Sequence, residues 1–241
     1  MRWYIELDFQ RAEHSKRNGE NAMNGSRRQL LTRTLGAAAA IATSSSAFAQ
    51  LAWNRRGQAP TEADYFHGTA FDHGVEYRAT NMALIPKEFR PQITSEIIDP
   101  EPGRLVIDTR EHFLYLTRAD GTAIRYAVGV GREGFQWFGS AKVMRKGVWP
   151  TWTPPTEMVK RNPDISPATM KGGALNPMGP RALYLYRDGR DLLYRIHGTL
   201  EPWTIGSDVS SGCIRLLPED LIDLYDRVPT GTDVLVMKHL V

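Results

Sequence analysis

Residues 194–216 read YRIHGTLEPWTIGSDVSSGCIRL, and the rest of the chain is organised around them. The stretch holds the sole cysteine of the sequence, Cys213, which follows Gly212 and precedes Arg215 by two positions; His197 lies sixteen residues upstream. A thiol attacks a carbonyl only as its thiolate, and an imidazole within hydrogen-bond reach is the usual acceptor of the proton. Sixteen residues exceed a helical turn but suit a strand, a loop and a return. The spacing therefore predicts a strand that ends at His197 and a loop that brings Cys213 back beside it. Backbone N–H groups near Ser211, Gly212 and Cys213 are then candidates to face the oxyanion of a carbonyl under attack.

Working outward, Ala182 to Tyr186 and Leu192 to Ile196 read as strands joined through Asp188-Gly189, a hairpin signal. Pro218 to Val228 reads as a helix, with Pro218 at its first position, Glu219 and Asp220 at the positive end of the dipole, and Leu221, Ile222, Tyr225 and Val228 as the apolar face. Val234 to Met237 is a closing strand. Upstream, Leu105 to Ile107, Phe113 to Leu116 and Ile124 to Val130 predict three antiparallel strands, the last two joined at Asp120-Gly121, and Ala141 to Val148 another. This density of short strands indicates a mainly β barrel or sandwich.

Between them, WPTWTPP at 149–155 excludes a central strand. A short helix is expected from Thr156 to Arg161, followed by the glycine-rich GGALNPMG at 172–179. An irregular span of this length in a compact domain is functional or disordered, and its tryptophans argue for order. Phe135 to Gly179 is read as a wall or lid facing substrate. The GVGREG run at 129–134 lacks the Lys-Ser/Thr of a phosphate loop and predicts a turn or a close backbone approach to an extended ligand.

The segment 50–103 reads as a linker and irregular N-terminal extension. Its His67, Asp72 and His73 have no recognisable metal-ligand spacing, so neither a metal nor a cofactor is expected. Before it, paired arginines at 27–28, an alanine-rich apolar stretch from Leu35 to Ala42 and the small-residue run Ala47-Phe48-Ala49 read as a signal region of twin-arginine type over 1–49. Met23 is the expected true start and the periplasm the expected address. No apolar run is long enough to span a bilayer. Residues 1–49 hold 7 Lys+Arg and 4 Asp+Glu, which leaves 23 of each sign in the remainder. A neutral mature chain removes the electrostatic case for a nucleic-acid partner. A lone cysteine in an oxidising compartment has no internal disulfide partner and is flagged as a reactive thiol.

Ile196-His197-Gly198-Thr199 followed by Ser210-Ser211-Gly212-Cys213-Ile214-Arg215-Leu216 resembles the signature of the L,D-transpeptidase catalytic domain (YkuD) family: a His-Gly pair, a spacer, then Ser or Thr, commonly His or Asn, Gly, Cys, an aliphatic residue and Arg. Ser211 departs from it, standing where His or Asn is common. The resemblance covers roughly 104–238, within a domain assigned to 104–241, and implies a mostly β catalytic domain with a mobile segment over the cysteine. It implies Cys213 as nucleophile, His197 as proton donor and acceptor, and the backbone carbonyl of Gly198 as the group orienting the imidazole. Arg215 is a candidate for a substrate carboxylate or for a salt bridge bracing the cysteine loop; Ser210 and Trp203 are further candidates for substrate contact. The implied substrate is a peptidoglycan tetrapeptide stem, cut before its terminal D-alanine and passed to an amine on another stem or on a protein, with carbapenem-type β-lactams as covalent inhibitors. An L,D-carboxypeptidase using the same pair and a non-catalytic cell-wall binding module are the alternatives.

Overall fold

A computed structural model describes residues 59–95, 99, 101–133 and 137–237. The expected signal region and start at Met23 lie outside the described residues. The long sheet is built from the apolar runs seen in the sequence: β4 (Leu105–Asp108), β5 (Phe113–Thr117), β6 (Ala123–Ala127), β8 (Gly139–Val148), β9 (Arg181–Arg187), β10 (Arg190–Gly198), β12 (Ile214–Leu216) and β13 (Asp233–Val236), joined at one edge by β3 (Gln92–Thr94). These nine strands run in the order β12-β10-β9-β8-β13-β4-β5-β6-β3. β7 (Val130–Gly131) and β11 (Asp208–Ser210) form a separate parallel pair. Gly129 and Arg215 exchange backbone hydrogen bonds at 2.9 and 2.8 Å, tying the edge strand β12 back to the chain leaving β6. The fold is mainly β, as expected, and this bridge bends the sheet round on itself.

The core lies on one face, where Leu105, Ile107, Leu114, Leu183, Ile196 and Leu216 are almost wholly buried. Strand alternation puts every second residue there and leaves the others for the opposite face. The helix α2 (Pro218–Arg227) packs Leu221 and Leu224 into the same core. Lys146 caps its C-terminal end, donating to the carbonyls of Tyr225 and Val228 at 2.6 and 2.7 Å, where a cation meets the negative end of the helix dipole. The short helix α1 (Thr156–Arg161) has the expected bounds.

Three expectations change. The segment before residue 104 carries more regular structure than its sequence pattern indicates. A hairpin of β1 (Phe66–Asp72) and β2 (Val75–Thr80) precedes β3, which pairs with β6, and Pro60–Val241 forms one compact unit. The hairpin residues are mostly half-exposed, so they carry no clean apolar period. Secondly, the span read as a wall or lid is not irregular throughout: β8, on the expected strand, occupies 139–148, and 149–180 is irregular apart from α1. That span is held closed by two backbone bonds between Trp152 and Met170, at 2.9 and 2.7 Å. Finally, Asp220 does not serve the helix dipole as a charge. It is buried with its Oδ2 unpartnered among the described residues, and burial, then Glu219 and Asp223, push its carboxyl well above the usual range. Glu219 is turned outward to the hairpin, accepting from the Thr80 N–H at 3.0 Å and its hydroxyl at 2.7 Å.

Candidate active site

β10 and β12 run parallel, with Ile196 opposite Ile214 and His197 opposite Arg215. Ile196 and Ile214 point into the core. By alternation their neighbours His197 and Arg215 face the other side of the sheet, and two residues back along each strand so does the pair Arg195 and Cys213. The backbone N–H of Arg195 lies on the same side as the Cys213 thiol and favours its ionised form. A strand spacing of about 4.8 Å and a two-residue rise of about 6.6 Å put the Cα atoms of His197 and Cys213 on a diagonal of about 8 Å. This is the return that the sixteen-residue spacing predicted.

His197 is 7% exposed. Its Nδ1–H donates to the Gly198 carbonyl oxygen at 2.6 Å. Since that oxygen only accepts, Nδ1 carries the proton and Nε2 is left as the basic nitrogen. Gly198 is itself fixed: its N–H donates to the Met178 carbonyl at 2.9 Å, and a Cβ on it would stand 3.0 Å from Pro180 Cδ and 3.2 Å from Gly179 Cα. The His-Gly pair is therefore a contact requirement, in which the absent side chain lets the 178–180 backbone lie against the residue that orients the imidazole.

Cys213 is half-buried. Its turn is braced by Ser210, whose buried hydroxyl donates to the Cys213 carbonyl at 2.5 Å and accepts from the Gly212 N–H at 3.0 Å. Gly212 has φ 113°, a conformation that side chains disfavour. The GVG run of 129–131 does not form the expected turn; it pairs with this loop, Val130 N–H donating to the Ser207 carbonyl and Arg132 N–H to that of Ser210, both at 3.0 Å.

Burial lowers the His197 pKa to about 4, helped by the charges of Arg215 and Arg195 and opposed by the bond to Gly198. Burial raises the Cys213 pKa, opposed by the Arg195 N–H and by the charges of Arg195 and Arg215. Both shifts favour the neutral form of each group, the thiol and the imidazole, at neutral pH. The same two guanidiniums act on both groups, which places the thiol and the imidazole in one electrostatic neighbourhood.

The remaining predicted residues scatter. Arg215 donates to Glu201 at 2.7 Å, the bracing role of its two readings. Ser210 is buried inside the cysteine turn and is not turned to a ligand. Trp203 packs against Tyr65 and Phe66, with ring centroids 5.9 and 6.4 Å away, so it holds the N-terminal segment. Ser211 accepts a bond from Arg161 of α1 at 3.3 Å, which ties the irregular span to the turn that carries Cys213.

Sequence reasoning missed Arg195 and Asn176. Arg195 forms a two-toothed pair with Asp191, at 2.6 and 2.9 Å, and its guanidinium lies over the Tyr184 ring. The i,i+4 spacing in a strand gave no signal, because only a local register shift brings the two together. Asn176 is buried and its amide donates to the carbonyls of Pro150 and Lys171 at 3.1 and 3.0 Å, while its oxygen accepts from Met178 N–H at 2.9 Å. One side chain thus gathers the ends of the 149–180 span above Ala182, Tyr184 and Met178. Asp72 and His73 meet Arg181, and no group of three metal-ligating side chains occurs among the described residues.

The chain is 39% identical over 138 residues to the probable L,D-transpeptidase YbiS of Escherichia coli K12, covering 54% of this chain and 43% of that one. It is 36% identical over 185 residues to the probable L,D-transpeptidase ErfK/SrfK of the same strain, covering 72% and 57%. It therefore spans about half the length of these curated relatives. A crystal structure from Brucella melitensis, described as a probable carnitine operon oxidoreductase, is 44% identical and covers 65% of this chain and 99% of that one, at a TM-score of 0.44. Residues 102–236 match the family model of the L,D-transpeptidase catalytic domain, a span that includes both His197 and Cys213. With more than half of its length inside that model, the chain belongs to the YkuD L,D-transpeptidase catalytic domain family.

Proposed function

We propose that the protein is a peptidoglycan L,D-transpeptidase that works through an acyl-enzyme on Cys213. The observation that carries the reading is the shared environment of a half-buried thiol and an imidazole whose Nδ1 is tied to Gly198, leaving Nε2 as a base. Cys213 sulfur attacks the carbonyl of the stem's third residue while His197 Nε2 takes the thiol proton. The oxyanion falls to the amides of Ser211 and Cys213, because the Gly212 N–H is engaged by Ser210. Collapse breaks the amide bond, His197 returns the proton to the departing D-alanine amine, and a thioester remains. An acceptor amine then attacks, His197 takes its proton, and the sulfur leaves and is reprotonated. The low pKa of the imidazole suits this cycle, since it is held only transiently as the cation. Substrate class, acceptor, sensitivity to carbapenems and export to the periplasm by a twin-arginine signal at 1–49 all belong to this proposal.

Intact-mass analysis tests it. The mature protein incubated with a tetrapeptide stem or a carbapenem gains the acyl mass, Cys213→Ala gains none, and an added diamino-acid acceptor yields a cross-linked product. A wild-type protein with no adduct to either compound overturns the reading, and an adduct that only water resolves makes it a carboxypeptidase.

A further inference from the structure

The tip of the β1–β2 hairpin sits on the chain segment that fixes the His-Gly pair. Asp72, the last residue of β1, makes a two-toothed ion pair with Arg181, with Oδ2 2.6 Å from Nη1 and Oδ1 2.8 Å from Nη2. Arg181 is only 3% exposed in its side chain, and Asp72 13%. Nη1 also donates to the carbonyl of Pro180 at 2.8 Å, and the Asp72 carbonyl accepts from the Trp149 indole N–H at 2.9 Å. Trp149 in turn donates its backbone N–H to Pro180 at 2.8 Å. The Pro180 carbonyl is thus held from two sides, both traceable to the hairpin tip, while its ring and Gly179 press on Gly198.

We infer that Asp72 is a positioning residue for the catalytic histidine, acting through Arg181 and the Pro180-Gly179 backbone on Gly198, the acceptor of the His197 Nδ1 proton. A hairpin outside the matched span 102–236 thereby belongs to the working site. Removing the Asp72 charge leaves a buried guanidinium uncompensated, with its Nε already unpartnered among the described residues. The Arg181 fork then has no reason to stay on Pro180, and the backbone against Gly198 gains freedom. The reasoning rests on the proposed acylation chemistry only for its kinetic readout; the imidazole proton reports the positioning directly.

The experiment compares the full mature chain with Asp72→Asn, Asp72→Glu and Glu219→Gln. The last loosens the hairpin at its other anchor, Thr80, far in the contact chain from Pro180. For each, the melting temperature, the saturating rate and half-saturation of carbapenem acylation, and the exchange protection of the His197 Nδ1 proton by NMR are measured at a temperature where all are folded. Asp72→Asn is expected to slow the saturating rate about tenfold or more, the scale of a sub-ångström to ångström misplacement, and to lose protection of the Nδ1 proton. Asp72→Glu is expected to recover much of both, and Glu219→Gln to keep both while losing thermal stability. Unchanged Nδ1 protection in Asp72→Asn overturns the inference, as does equal slowing by Glu219→Gln. Absence of any acylation in the wild type would sink the functional reading alone, with the proton still deciding the role of Asp72.

Discussion

Gly179 and Gly198 lie backbone to backbone: a Cβ on Gly179 would sit 3.0 Å from Gly198 Cα, tighter than nine in ten real Cβ contacts. Gly179 also has φ 64°, in the left-handed region. Gly179→Ala is expected to cost about 1–2 kcal/mol from the backbone alone, and to slow acylation by displacing Gly198. Gly189→Ala is the control, because Gly189 has φ 74° but nothing within 4 Å of a new Cβ. Both variants should melt earlier, and only Gly179→Ala should lose acylation rate; equal rates would mean that the contact does not bear on the histidine.

The pH dependence follows from two neutral partners. With His197 lowered to about 4 and Cys213 raised, the competent form spans the neutral range. Acylation should be flat from about pH 6 to 8 and fall as pH drops towards 4, where the imidazole is protonated. The same group affects stability. Unfolded His titrates near 6.5 and the folded one near 4, so the unfolded state binds the extra proton between them, and stability falls as pH falls through that window, by on the order of 3 kcal/mol in total. Melting curves of His197→Gln should lack this part of the slope.

Arg161 reaches from the irregular span to Ser211 at 3.3 Å. Arg161→Ala removes the guanidinium held at Ser211, two residues before Cys213, a group whose planar fork suits carboxylates. For an anionic stem substrate, half-saturation should rise about three- to tenfold, while the rate with a saturating small carbapenem stays within about twofold. A lowered saturating rate with unchanged half-saturation would place Arg161 in the chemistry instead.

Burial, then the charges of Glu219 and Asp223, push the Asp220 carboxyl well above the usual carboxylate range. Its folded pKa lies above its unfolded value, so its favourable contribution is complete below the unfolded pKa and is lost as pH rises through the folded one. Asp220→Asn should therefore gain on the wild type as pH rises, with a larger difference in melting temperature at pH 8 than at pH 4. A pH-independent difference would show that the carboxyl is solvated or paired.

The local signals were strong wherever one face of an element is buried. α2 repeats its apolar residues because the core lies on one side of it, β9 reads as a continuous apolar run because both of its faces are covered, and Asp188-Gly189 supplies the left-handed turn at φ 50° and 74°. The 66–80 hairpin gave no such pattern, since it is secured by the Asp72–Arg181 and Thr80–Glu219 contacts, 109 and 139 residues apart in the chain. Trp203 and Ser210 looked available to a ligand because a sequence cannot tell which polar or aromatic group is already taken by its own protein.

By itself the sequence singled out Cys213 and His197 as the candidate pair and pointed to the mainly β architecture and the strand-loop-return between them, because residue chemistry and short-range periodicity are local properties. Only the tertiary structure decided that burial disfavours the charged forms of both thiol and imidazole, that Arg195 comes beside the sulfur, and that the N-terminal hairpin clamps Pro180 above Gly198. Burial, and the pairing of charges distant along the chain, exist only once the sheet has brought those residues together.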